Sequence, residues 1–133
     1  MSSAAGSKKV RVAIIGAGAV SDYHHVPALR LDPRAELAAV CDADEALLQK
    51  RKTDWGVELA TSDPIALAQS DAVDAVIIAT PNFTHHPIAT AAARAGKHVM
   101  CEKPLGLNAA EVRAMYEAAR DANVVHMTAF TYR

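Results

Sequence analysis

Cysteine is scarce in this 133-residue chain, with only Cys41 and Cys101 present. Two thiols are too few for a disulfide scaffold, and they lack the close spacing of a zinc site. Reduced thiols in a cytoplasmic protein are the expectation. Aromatic residues make up 5%, with Trp55 the single tryptophan, so no stacking platform for nucleic-acid bases can be assembled. An excess of either charge is also missing: the net charge is −1, and no basic block occurs. That excludes nucleic acid or an anionic membrane as the main partner. No run approaches the roughly 20 apolar residues that cross a bilayer. The first apolar run, 10–20, is broken by Arg11, Gly16 and Gly18 and is followed by no small-residue cleavage site, so it does not read as a signal peptide.

Apolar residues are 51% of the chain, the share of a packed globular protein, and there is no repeat, linker or low-complexity tract. One domain is expected, burying roughly two-thirds of its unfolded surface. Residues 1–9, which open with Ser, Ala and Gly, read as a flexible tail. Short apolar, β-branched runs then alternate with segments of helical period. Strands are expected at 10–15, 36–41, 57–60, 75–79, 98–101 and 124–128. Helices are expected at 20–31, at 43–55 up to Gly56, after Asp63-Pro64, from Pro81 to Ala95 before Gly96, and at 108–122. Asn108 and Glu111 have capping-box spacing at the start of the last one. Such alternation implies right-handed βαβ crossovers, and so an α/β fold with a doubly wound parallel sheet.

Within that pattern, Gly16-Ala17-Gly18-Ala19-Val20 lies between the first strand and the first helix. Gly16 allows a tight turn, and Gly18 lets backbone approach a diphosphate resting on the positive end of the helix. The place of the third glycine of the dinucleotide fingerprint is taken by Ser21, a departure from the pattern. Asp42 ends the second strand, where a carboxylate accepts from adenosine ribose hydroxyls and repels a 2′-phosphate, favouring NAD over NADP. The other reading of Asp42 is a helix cap completed by Glu45.

In a parallel sheet the ligand crevice lies beyond the carboxyl ends of the strands. Thr80, Pro81 and Asn82 end the fourth strand, while Glu102, Lys103 and Pro104 end the fifth. Both prolines restrict their turns. Lys103 is suited to orienting a substrate oxygen and stabilising alkoxide character, rather than to acting as sole base, with Glu102 available to pair with it. His85 would begin a helix beneath the crevice and could touch ligand, and His24 or His25 would lie near the glycine turn. The paired histidines have no partners at metal-ligand spacing, so no metal site is expected.

Three stretches, 12–18, 80–85 and 95–104, resemble the amino-terminal domain of the glucose–fructose oxidoreductase and inositol dehydrogenase (Gfo/Idh/MocA) family, and the likeness runs from Val10 to Arg133. The resemblance implies a Rossmann domain that binds NAD at Gly16, Gly18, Ala19, Val20, Asp42, Thr80, Pro81, Asn82, His85, Glu102, Lys103 and Pro104. It implies Lys103 as the catalytic group and Glu102 against the nicotinamide ribose. The implied reaction moves a hydride between nicotinamide and a secondary alcohol of a sugar or polyol. Family members normally carry a second domain that supplies substrate contacts and the oligomer interface. Its absence here suggests an excised cofactor domain, a monomer or a non-physiological dimer, incomplete as a catalyst; the alternative is a free-standing NAD(H)-binding module or sensor.

Overall fold

The computed structural model describes residues 8–130. Of the expected tail, only Lys8 and Lys9 fall within that range; residues 1–7 and 131–133 lie outside it.

Six strands form one all-parallel sheet: β1 (Val10–Ile15), β2 (Ala35–Cys41), β3 (Leu59–Thr61), β4 (Ala75–Ile78), β5 (His98–Glu102) and β6 (His126–Ala129). Their order across the sheet is β3-β2-β1-β4-β5-β6. A π-helical turn, Ser21–His25, leads into α1 (Val26–Leu31). The other helices are α2 (Glu45–Trp55), α3 (Pro64–Ala68), α4 (His85–Arg94), entered through a 3-10 turn at Asn82–Thr84, and α5 (Ala109–Asp121). Among the described residues no helix is long and apolar enough to cross a membrane.

Side chains alternate across each strand, so both faces of the sheet must be covered. Ala13, Ile15, Val76, Ile78, Val99 and Cys101 face α3, α4 and α5. Val12, Ile14, Val40 and Ile77 face Val26 of α1 and Leu48 and Trp55 of α2. Fully burying an aliphatic side chain stabilises by about 1.5–3 kcal/mol, and Ile14, Ile15 and Ile78 are wholly enclosed. The alanines of α4, at 89, 92 and 93, are small enough to bring that helix close to the sheet.

Helix starts follow the capping chemistry of the sequence. Asp44 accepts from the Leu47 N–H, Asp63 from Ile65 and Ala66, and Asn108 from Glu111. The Glu111 carboxylate reaches back to the Leu107 N–H.

Two strands begin two residues later than the apolar pattern predicts, and for one reason. After α2, Gly56 turns left-handed (φ 66°) and the Val57 N–H donates back to the Lys52 carbonyl at 3.0 Å. After α5, Asn123 (φ 56°) and Val124 do the same, with Val124 donating to Ala119 at 3.1 Å. This is the Schellman ending, in which an apolar residue just past the turn packs back on its helix. Val57 and Val124 therefore close helices instead of opening strands.

Candidate functional site

Strand order reverses between β1 and β4, so the chain leaves their carboxyl ends in opposite directions and opens a crevice there. A cleft of about 650 Å³ fills it, lined among others by Gly16, Gly18, Asp42, Asp44, Thr80 and Pro81.

The glycine turn is rigidly built. Gly16 has φ 101°, its N–H donates to the Cys41 carbonyl at 2.8 Å, and a Cβ there would lie 2.4 Å from the Ala79 carbonyl oxygen. Ser21, fully buried, donates its hydroxyl to the Gly16 carbonyl at 2.6 Å, so the residue that departs from the fingerprint closes the turn by a hydrogen bond of its own. Ala17 is held at both ends: its N–H donates to Asp42 Oδ2 at 2.8 Å, and its carbonyl accepts from Arg51 Nε at 2.9 Å. Arg51 is fixed in turn by Asp22 at 3.1 Å and by the Trp55 ring, whose Nε1 donates to the same Asp22 at 2.8 Å. Gly18 differs from Gly16, since nothing lies within 4 Å of where its Cβ would be. The N–H groups of Gly18, Ala19 and Val20 come at the opening of the helix, where donors lack intrahelical acceptors.

Asp42 is not the cap of the following helix; Asp44 performs that task. The Asp42 carboxylate instead joins the Ala17 N–H to the Asp44 N–H, the latter at 2.8 Å on Oδ1. Cys41, just beneath, is no nucleophile: burial, with Asp42 adding to it, pushes its thiol up to about 12. Burial raises Cys101 likewise, to about 12.

On the other side of the crevice, Thr80 and Pro81 leave β4 and lead to an exposed Asn82. The Thr84 hydroxyl lies 2.6 Å from both the Thr80 hydroxyl and the Pro81 carbonyl. His85, expected near the ligand, is turned toward backbone. It is 1% exposed, with Nε2 2.8 Å from the Thr80 carbonyl and Nδ1 3.0 Å from the Pro104 carbonyl. The ring thus lies between the loops after β4 and β5, and whichever nitrogen carries the proton donates to the carbonyl it faces.

At the end of β5, Lys103 and Pro104 are exposed. Glu102 does not turn to Lys103; its Oε2 lies 2.8 Å from Nε2 of His25 in the π turn. Five of the expected site residues, Gly16, Gly18, Asp42, Thr80 and Pro81, thus line one cleft. Ala19 and Val20 stand at its helix end, while Glu102, Lys103 and Pro104 stand one strand beyond β4. Arg51 and the His25–Glu102 contact carry no local sequence signal, since their partners are 34 and 77 residues away.

A sheet that reverses beside a glycine turn, with open space before the turn's second glycine and a carboxylate at the next strand end, has the donors and acceptors that a dinucleotide's diphosphate and ribose require. This is the build of a Rossmann-class nucleotide-binding domain. The chain belongs to the Gfo/Idh/MocA family, whose model, described as "Oxidoreductase family, NAD-binding Rossmann fold", matches residues 10–130. Among curated relatives, levoglucosan dehydrogenase of Pseudarthrobacter phenanthrenivorans is 38% identical over 95% of this chain and 34% of its own length. Myo-inositol 2-dehydrogenase of Thermotoga maritima is 39% identical over 93% of this chain and 37% of its own. Among solved structures, biliverdin reductase of Synechocystis, in complex with biliverdin and NADP+, superposes with a TM-score of 0.84 at 34% identity, covering 90% of this chain and 37% of that one. The chain spans about a third of the length of these relatives.

Proposed function

We propose that this chain is the cofactor-binding part of an oxidoreductase that uses NAD in preference to NADP and acts on a secondary alcohol of a sugar or polyol. The observation that carries the cofactor reading is the open space at Gly18 beside the helix opening, with the Asp42 carboxylate fixed next to it. In this reading the N–H groups of Gly18, Ala19 and Val20 hold the diphosphate. Asp42, already oriented by two backbone donors, keeps lone pairs for the adenosine ribose. Asp44 adds a second carboxylate to the same end of the cleft, so a 2′-phosphate would meet two like charges.

Thr80, Pro81, Asn82, Glu102, Lys103 and Pro104 would bound the nicotinamide end, with His85 fixing the loops that present them. A bound nicotinamide supplies one chemistry, acceptance of a hydride from a carbinol carbon. Lys103 is exposed just past the carboxyl end of β5, so in this reading its ammonium would donate to the substrate oxygen and favour alkoxide character as that carbon loses hydride. The sugar or polyol assignment follows what the levoglucosan and myo-inositol dehydrogenases are named for.

Calorimetric titration of the chain with NADH, and separately with NADPH, tests the proposal. NADH binding with NADPH clearly weaker is expected. A folded chain that binds neither would overturn it.

A further inference from the structure

The buried contact between His25 and Glu102 joins parts of the chain that the cofactor reading treats separately. His25 lies in the turn that follows the glycine loop, and Glu102 opens the Glu-Lys-Pro segment after β5. Their side chains are only 8% and 13% exposed and meet at 2.8 Å between Nε2 and Oε2, although β4 separates β1 from β5 in the sheet. In the π turn, Ser21 and His25 point inward, while Tyr23 and His24 face solvent. The inward pair divides the work. Ser21 closes the glycine turn, and His25 reaches across to the far half of the site.

A carboxylate this enclosed needs a donor, since a buried charge without a partner is costly. His25 supplies that donor to Oε2 and leaves Oε1 for another contact. Without His25, Glu102 would turn toward solvent or toward the neighbouring Lys103. Either movement would change both the carboxylate and the lysine that the cofactor reading places at the nicotinamide end.

We infer that His25 is a positioning residue: through its hydrogen bond it holds Glu102 in place at the nicotinamide end of the site. The inference rests on the NAD reading above. His25 is nearly enclosed and its Nε2 is taken by Glu102, so its effect falls on the half of the ligand that Glu102 faces.

The test compares NADH with ADP, which has the adenosine and diphosphate but lacks the nicotinamide riboside. Dissociation constants are measured for the wild-type chain, His25→Leu, His25→Gln, Glu102→Ala and the double variant His25→Leu/Glu102→Ala. The exposed His24→Leu serves as control, and thermal unfolding checks that each variant is folded. A hydrogen bond to a charged group is strong enough that His25→Leu should weaken NADH about tenfold. ADP should change less than about twofold, because its contacts lie on the other side of the crevice. His25→Gln retains a donor and should recover most of the loss. In the Glu102→Ala background, His25→Leu should have almost no further effect.

Equal losses for NADH and ADP would show a general structural role and overturn the inference. So would an unchanged NADH affinity in a folded His25→Leu chain, or a His25 effect that persists without Glu102. A wild-type chain that binds neither ligand would fail the NAD reading itself, and the inference with it.

Discussion

Replacing Gly16 and Gly18 in turn by alanine separates two roles that the sequence motif presents as one. At Gly16 a methyl group runs into the Ala79–Thr80 peptide: the Ala79 carbonyl oxygen at 2.4 Å, its carbon at 2.5 Å and the Thr80 nitrogen at 2.9 Å. None of these is a flexible side-chain end, so the strands must shift. Left-handed backbone costs an L-residue about 1–2 kcal/mol, and overpacking costs about 1–3 kcal/mol. Gly16→Ala should therefore lose about 2–5 kcal/mol, a large share of the roughly 5–15 kcal/mol that holds a domain folded. For a chain of this size that corresponds to a fall in Tm of roughly 6–20 °C. Gly18→Ala meets nothing within 4 Å and has no positive φ, so its stability should stay within about 0.5 kcal/mol of wild type. Its methyl instead occupies the space through which a diphosphate would approach, and NADH affinity should fall at least about tenfold. Thermal unfolding followed by circular dichroism, with calorimetric titration of the folded variants, reads both effects. A Gly16→Ala chain melting within about 3 °C of wild type would refute the clash argument. A Gly18→Ala chain binding NADH as wild type does would refute the approach argument.

Asp42→Ala should weaken NADH binding and narrow its preference over NADPH, as titration with both would show; an unchanged preference would leave Asp42 only as a brace for Ala17. In a full-length protein, Lys103→Met should spare cofactor affinity and abolish turnover, and surviving turnover would remove Lys103 from the chemistry. Arg11 donates to both oxygens of Asp74 and holds that carboxyl well below the usual carboxylate range. Because the folded value lies below the unfolded value of about 3.9, the pair stabilises above that pH and its contribution is lost as pH falls further. The Tm difference between wild type and Asp74→Asn should accordingly shrink as the pH is lowered from about 6 toward 2. A difference that stays constant would mean that the pair contributes through packing alone.

The topology could be read from the alternation of runs because each strand of a parallel sheet is apolar on both faces, a one-dimensional signal. Helix starts were legible at Asp63 and Asn108, where a short polar side chain precedes the helix. Strand starts at Val57 and Val124 were misplaced because the apolar residue of a Schellman ending has the same composition as the first residue of a strand. The π turn at Ser21–His25 left no trace in the pattern, since a five-residue turn keeps the inward spacing of an ordinary one. Within the site, glycines and strand-end polar residues were visible because they lie where the fold requires them. Which way the His85 ring points could not be read from its position at a helix start. Here it lies between the Thr80 and Pro104 carbonyls.

The hold on Ala17 also bears on how cofactor choice can change. Asp42 shapes the glycine turn through the Ala17 N–H and, in the proposed role, also meets the adenosine ribose. Turn geometry and nucleotide preference are then one inherited trait. A lone exchange of Asp42 for a residue that tolerates a 2′-phosphate would release the turn before the new ligand could be held. Such a switch would need a paired replacement that restores an acceptor for Ala17, which makes adaptation at this position epistatic.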